Sequence, residues 1–211
     1  MPKIEVAIPH HFELFDMLAR LNPRERKISW KRAVNASGKA MKVMAAKEVA
    51  RKTTMKSTKA KKAMTTGRLG RTGTELGVYF RAKTEPMEIG SDFARAFKAK
   101  GYQKRGSAFN DRYVEIEIYK GRRRRAPQPW FVAKMESGHR APFFRAGKER
   151  LPIYAAKTTS PGVVIASNRD LRRKIARRGG KVLIREFMGQ LKLITDRKII
   201  TRAHMVGFGK A

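Results

Sequence analysis

The segment from Trp130 to Ile153, WFVAKMESGHRAPFFRAGKERLPI, sets His139, Glu136 and several basic residues among aromatic and aliphatic neighbours. Such a set fits a catalytic constellation, a nucleic-acid clamp, or a strand-turn-strand whose polar residues face water. A catalytic histidine needs a nucleophile or metal partner and a group that orients it. The chain has no cysteine, and His10, His11 and His204 are remote from His139 in sequence. Residue alternation points elsewhere: WFVAKME reads as a strand, SGHRA as a turn centred on Gly138, PFFR as the return strand, and RLPIYA as a third short run. The stretch is therefore expected to be a β-meander.

Other candidates for chemistry reduce in the same way. In RYVEIEIYK, Glu115 and Glu117 project from one face of a strand while Val114, Ile116 and Ile118 line the other. Two carboxylates at that spacing could act as an acid and base pair, but the expectation is an ion-paired or solvated strand face. The glycine-rich TTGRLGRTGTELG lacks the spacing of a phosphate-binding P-loop and reads as a basic loop leading into a strand at Leu76–Phe80. Phosphoryl transfer would require clustered acids, and Asp16, Glu85, Glu88, Asp92, Asp111, Asp170 and Asp196 are scattered. No enzyme activity, metal or cofactor is expected.

Charge dominates the composition: 50 Lys and Arg against 17 Asp and Glu give +33 over 211 residues. Such self-repulsion implies a polyanionic or acidic partner. The 41% apolar content supports a modest core. The first residues, MPKIEVAIPHHFELF, carry acids and no long apolar run, so no signal peptide is expected, and no run of roughly 18 apolar residues suggests a membrane span.

The positioning elements are these. Asn22, Pro23 and Glu25 form a capping signature for a helix, along which Trp30, Val34, Ser37, Met41 and Met44 recur on one stripe flanked by Ala33, Ala36 and Ala40. After Val49 the segment RKTTMKSTKAKKAM reads as a frayed continuation of that helix, as an arm that orders on a partner, or as both in turn. SDFARAFKAKGYQKRG predicts a short amphipathic helix starting near Ser91 or Asp92 and carrying Phe93, Phe97 and then Tyr102. Four consecutive arginines, Arg122 to Arg125, predict a loop tip with an extended, proline-held exit. A C-terminal helix buries Val182, Phe187, Leu191 and Ile194, and is expected to break or kink at Gly179 and Gly180, since each glycine costs about 1 kcal/mol inside a helix. The fold class is α+β: a long N-terminal basic helix and a C-terminal helix packed on a small antiparallel β-sheet, with extended basic arms and loops. The divisions fall at 1–66, 67–168 with an arginine-rich loop at 120–129, and 169–211, within one structural domain.

From about Arg122 to Ile194 the order of these elements resembles the minor tail protein Z family, the tail-completion proteins of long-tailed phages. The resemblance rests on the apolar run Phe131 to Gly138, on Phe144 and Arg145, and on Gly147, Lys148, Arg150, Pro152 and Ile153, which lead toward a closing helix. The arginine run before Pro127 looks like the family's basic loop. In the first hundred residues only a basic helix is shared. Phe131, Gly138, Arg145, Gly147, Arg150, Pro152 and Ile153 are structural in this resemblance. It implies a virion protein without enzymatic activity at the head-proximal neck of the tail, assembled in the host cytoplasm. Its implied partners are further copies of itself in a sixfold ring, tail terminator and tail tube proteins, head connector or neck proteins, and genomic DNA, with no membrane.

Contact with DNA phosphates or with an acidic partner is expected from Lys56, Lys59, Lys61, Lys62, Arg68, Arg71, Arg122, Arg123, Arg124 and Arg125. The alternative class is a ribosomal-type or nucleoid RNA- or DNA-binding protein, in which Phe143, Phe144 and Tyr154 would stack on bases.

Overall fold

In the computed structural model, which describes residues 3–7, 21–69, 77–90, 93, 96–100, 113–127, 130–134, 140–145 and 152–207, the helix expected after Asn22 begins as its capping signature requires. The Glu25 amide donates to Asn22 Oδ1 at 2.8 Å and the Asn22 amide donates to Glu25 Oε2 at 3.1 Å. These reciprocal bonds satisfy amides that a helix start leaves without partners. Helix α1 then runs from Pro23 to Lys52. The described residues gather into two units, whose boundaries fall within helices, after Met44 and before Arg172, and within strands, after Met64 and after Arg81.

The helical unit takes its described residues from Lys3–Met44, Thr65–Arg81 and Arg172–Ala211. It contains a sheet of β1 (Lys3–Ala7), β2 (Met64–Leu69) and β3 (Gly77–Ala82) in the order β1-β3-β2. The glycine-rich segment is thus strand, not loop, at its start, and residues 70–76 lie outside the described residues. Helix α4 (Arg169–Gly207) runs against α1: Trp30 meets Phe187 edge-on at 6.3 Å, and eleven residues further along α1, Met41 lies against Gly179. Advancing along one helix retreats along the other, so the pair is antiparallel. Trp30, Ala33, Val34, Ser37 and Met41 are buried, as the stripe predicts.

The break expected at Gly179 and Gly180 is absent: α4 is continuous through both. A Cβ on Gly179 would stand 2.6 Å from Met41 Sδ, and the Gly179 carbonyl accepts a 2.8 Å hydrogen bond from Ser37 Oγ. This glycine permits close approach of two helices; its conformational cost is offset by packing.

The sheet unit takes its described residues from Ala45–Met64 and Ala82–Leu171. It holds three small sheets in place of the single one expected. Strands β5 (Phe97–Lys100), β6 (Tyr113–Glu117) and β7 (Arg123–Arg125) pair in chain order. β8 (Phe131–Lys134), β9 (Arg140–Arg145) and β10 (Ile153–Ala155) make the expected antiparallel meander. β4 (Met87–Glu88) pairs with β11 (Lys157–Thr158). Two short helices complete the unit, α2 (Ser57–Lys62) and α3 (Pro161–Ala166), the latter capped by Ser160 Oγ. Val114, Ile116 and Ala126 form a buried cluster with Phe97, Trp130 and Val132 packed against it.

Three expectations change here. Phe97–Lys100 is a strand and not the end of a helix, because pairing with β6 puts Phe97 opposite Ile116 beside the apolar cluster. Tertiary pairing overrides a helical spacing of aromatics. The basic segment after Val49 is neither a frayed helix nor an arm: Thr53, Met55, Ala60, Ala63 and Met64 are buried. The arginine run is not a loop tip either, since Arg123–Arg125 form the edge strand β7 and only Arg122 lies in the turn.

Candidate nucleic-acid interface

The arginine hairpin is built around Glu117. The Arg122 amide bonds to the Tyr119 carbonyl at 3.0 Å to close the turn, with Gly121 at φ +80° in its third position. That left-handed conformation favours glycine. Glu117 Oε1 accepts from the Gly121 amide at 2.9 Å, while its Oε2 accepts from Arg123 Nε at 2.9 Å. One carboxylate thereby ties the turn to the returning strand. The Gly121 N–H, then the Arg123 side-chain hydrogen bond, holds the Glu117 carboxyl below its ordinary range, and Glu117 in turn raises Arg123.

Register sets which arginine faces what. Glu117 is opposite Arg123, Glu115 is opposite Arg125 and also opposite Lys98, and Ile116 is opposite Arg124. Glu117 thus pairs with Arg123 on this strand face, and Glu115 stands on the same face between the register positions of Lys98 and Arg125. The hollow beside them, lined in part by Lys98, Glu115, Glu117 and Arg123, holds about 10 Å³, room for no more than one water. Arg124 instead shares the face of Ile116 at the open edge of the sheet, and Arg122 lies exposed in the turn.

The second basic segment meets this hairpin through a clasp. Thr54 donates from its amide to the Ile118 carbonyl at 3.0 Å and from Oγ1 to the Glu117 carbonyl at 2.6 Å, and the Lys120 amide donates to the Lys52 carbonyl at 3.1 Å. Thr53 also forms a β-bridge with Tyr119. Immediately past the clasp, Lys56 stands at the start of α2, and Lys61 and Lys62 are exposed on its last turn, with Lys59 half-buried. Thr54 and Lys120 are contributors with no signal in the sequence. Their pairing spans more than sixty residues, and neither residue type marks such a partner.

Other expected contact residues fall elsewhere. Arg68 lies in β2, in the helical unit, and Arg71 lies outside the described residues. Of the residues carrying the resemblance, Phe131, Arg145 and Ile153 come together: Arg145 lies over the Phe131 ring at 5.1 Å, and Ile153 pairs opposite Arg145. Pro152 is exposed just before β10, while Gly138, Gly147 and Arg150, like His139, are outside the described residues. Among the described residues, no group of three or more His, Cys, Asp or Glu is placed to hold a metal ion, and no helix is long and apolar enough to cross a membrane. A surface of exposed guanidinium and ammonium groups on a hydrogen-bonded scaffold can bind phosphates without reading bases.

Comparison with known proteins finds no family model, no curated protein and no solved structure that matches the chain.

Proposed function

We propose that the protein is a structural, non-catalytic virion component that completes the head-proximal end of a phage tail, joining head to tail and positioning DNA at the tail entrance. In this reading it works as a homo-oligomeric ring, hexameric to match a sixfold tube, between tail terminator and tube proteins on one side and head connector or neck proteins on the other. Its Lys56–Lys62 and Lys120–Arg125 surface faces DNA phosphates. The place in the particle rests on the residue resemblance around Trp130 to Ile153. The DNA contact is supported by one observation: hydrogen bonds of Thr54 and Lys120 tie together two basic segments remote in sequence. Concentrated charge of this kind attracts a duplex regardless of sequence.

The test replaces Lys61, Lys62, Arg122 and Arg124 by glutamate and measures duplex binding and head–tail joining separately. Loss of both is expected. Joining that fails while duplex binding survives would move this surface to a protein neighbour and end the DNA assignment. Recovery of the wild-type chain from purified tails, confined to the neck, is the expected location; its absence from particles would remove the tail assignment.

A second reading, a ribosomal-type or nucleoid protein, is favoured by a different feature, the aromatic face of the meander. Trp130, Phe144 and Tyr154 stack across the three strands, whereas Phe143 is buried on the opposite face and takes no part. Recovery on ribosomal RNA would select that reading.

A further inference from the structure

The pairing of β6 with β7 decides which arginines of the run are at liberty to meet an anion. Register places Arg123 and Arg125 on the face of Glu117 and Glu115, with Lys98 of β5 on that face as well, and turns Arg124 to the opposite face. Glu117 is fixed there, because its Oε1 accepts from the Gly121 amide and its Oε2 from Arg123 Nε, each at 2.9 Å. Its side chain is only 20% exposed, against 59% for Arg123. The carboxylate is therefore anchored by the turn, and the arginine comes to it. Arg122 and Arg124 are exposed, and among the described residues no ion pair engages either.

This division matters to binding because a cation strengthens attachment to DNA only by neutralising a phosphate and releasing the counterion condensed on it. Arg123 already has an anion of its own chain beside it, so the pair carries no net charge. A phosphate drawn to the outer N–H groups of Arg123 would lie close to Glu117, where repulsion by the carboxylate offsets attraction by the guanidinium. Nor can Glu117 swing aside without breaking its bond to the Gly121 amide.

We infer that Glu117 is a positioning residue that withholds Arg123 from DNA, so that the run contacts phosphates through Arg122 and Arg124 and binds less tightly than its arginines would allow. The inference rests on the DNA contact proposed above and adds a restraint to it. Affinity forgone in this way appears chiefly as faster release of the duplex.

The experiment measures binding of a labelled duplex by the full chain between about 50 and 200 mM salt. Glu117→Gln keeps an acceptor for the Gly121 amide but offers Arg123 no charge. It should bind more tightly than wild type and steepen the salt slope by about 0.9, so that its advantage shrinks about 3.5-fold across that range. Adding Arg123→Gln to Glu117→Gln should return the slope to the wild-type value, since the two changes together remove a pair that neutralises no phosphate. Arg122→Gln with Arg124→Gln should flatten the wild-type slope by about 1.8. Glu186→Gln breaks the comparable pair with Arg185 on α4 and should leave the slope alone, which separates release of Arg123 from a general gain of positive charge.

An unchanged slope in Glu117→Gln overturns the inference, as does equal steepening by Glu186→Gln. So does a Glu117→Gln, Arg123→Gln double variant with a flatter slope than wild type, because Arg123 would then already be on a phosphate. A wild-type chain that binds no duplex ends the DNA contact itself, and this inference with it. Flattening by the Arg122 and Arg124 changes beside an unchanged Glu117→Gln slope keeps the contact and strikes only the restraint, so the two failures are told apart. An unchanged circular dichroism melt shows that each variant is folded.

Discussion

Along α4, Arg172, Arg173, Lys174, Arg177, Arg178, Lys181, Arg185 and Lys192 are exposed around a buried stripe of Ile175, Gly179, Val182, Leu183, Phe187 and Leu191. In the sheet unit, Lys120 to Arg125 crowd five cations into six residues, and a clasp adds the α2 lysines to them. The helix turns each successive side chain by about 100°, so its cations separate, and Arg185 pairs with its neighbour Glu186 at 2.8 Å. The hairpin offers no such dispersal, and its geometry depends on a carboxylate. The contrast teaches that a uniform excess of charge in composition can mean two things: dispersed charge where a buried apolar stripe joins two helices, and gathered charge where hydrogen bonds bring remote basic segments together.

If packing governs the helical unit, its largest sensitivity lies at Phe187, fully buried and edge-on to Trp30. Phe187→Ala should cost about 3–5 kcal/mol, from lost burial and the cavity left behind. Urea unfolding followed by circular dichroism checks it, and a cost under about 1 kcal/mol would break the assignment of this ring to the core. Next comes Gly179→Leu. On propensity alone this change should help a helix, yet the new side chain enters the space of Met41 and of the Ser37 hydrogen bond. A net loss of about 1–3 kcal/mol is expected, with Met41→Ala partly restoring it in a double-mutant cycle.

Gly179 also shows where sequence reasoning stops. Asn22, Pro23 and Glu25 announce the start of α1 because every interaction involved is within one turn, and the alternations of β6 and of the meander are legible because period two is local. The place for a glycine at position 179 inside α4 is set by Met41, 138 residues away, and no local pattern reports it. The same holds for Phe97, whose aromatic spacing suits a helix until β6 offers it a partner. The candidate surface divides likewise: Arg122 to Arg125 are conspicuous as a run, while their conversion into an edge strand rests on register with Glu115 and Glu117, and their union with the α2 lysines rests on Thr54.

A smaller effect of opposite sign sharpens the packing side of the comparison. Gly189 is exposed in the same helix, and a Cβ built there meets nothing within 4 Å. Gly189→Ala should therefore stabilise by about 1 kcal/mol, the full propensity gain that Gly179 cannot realise. Equal behaviour of the two glycines in unfolding experiments would mean that close approach to Met41 is not what constrains Gly179.

The smallest and most local effect belongs to the hairpin. Glu117 is held below its ordinary carboxyl range by the Gly121 amide and then by Arg123. A depressed folded value stabilises the hairpin above the unfolded value and is lost as pH falls through the folded one, since protonation removes the charge both donors address. The Gly121 amide resonance should accordingly titrate below the ordinary glutamate range, while helical amides such as that of Ser37 do not follow it. In Glu117→Gln the side-chain oxygen can still accept from Gly121, but the amide nitrogen offers Arg123 nothing to accept its proton. That variant should lose the titration and free Arg123 from Glu117 while keeping the turn. Titration of the Gly121 amide at the ordinary value would mean that solvent screens the pair completely and that the hairpin, like α4, simply disperses its charge.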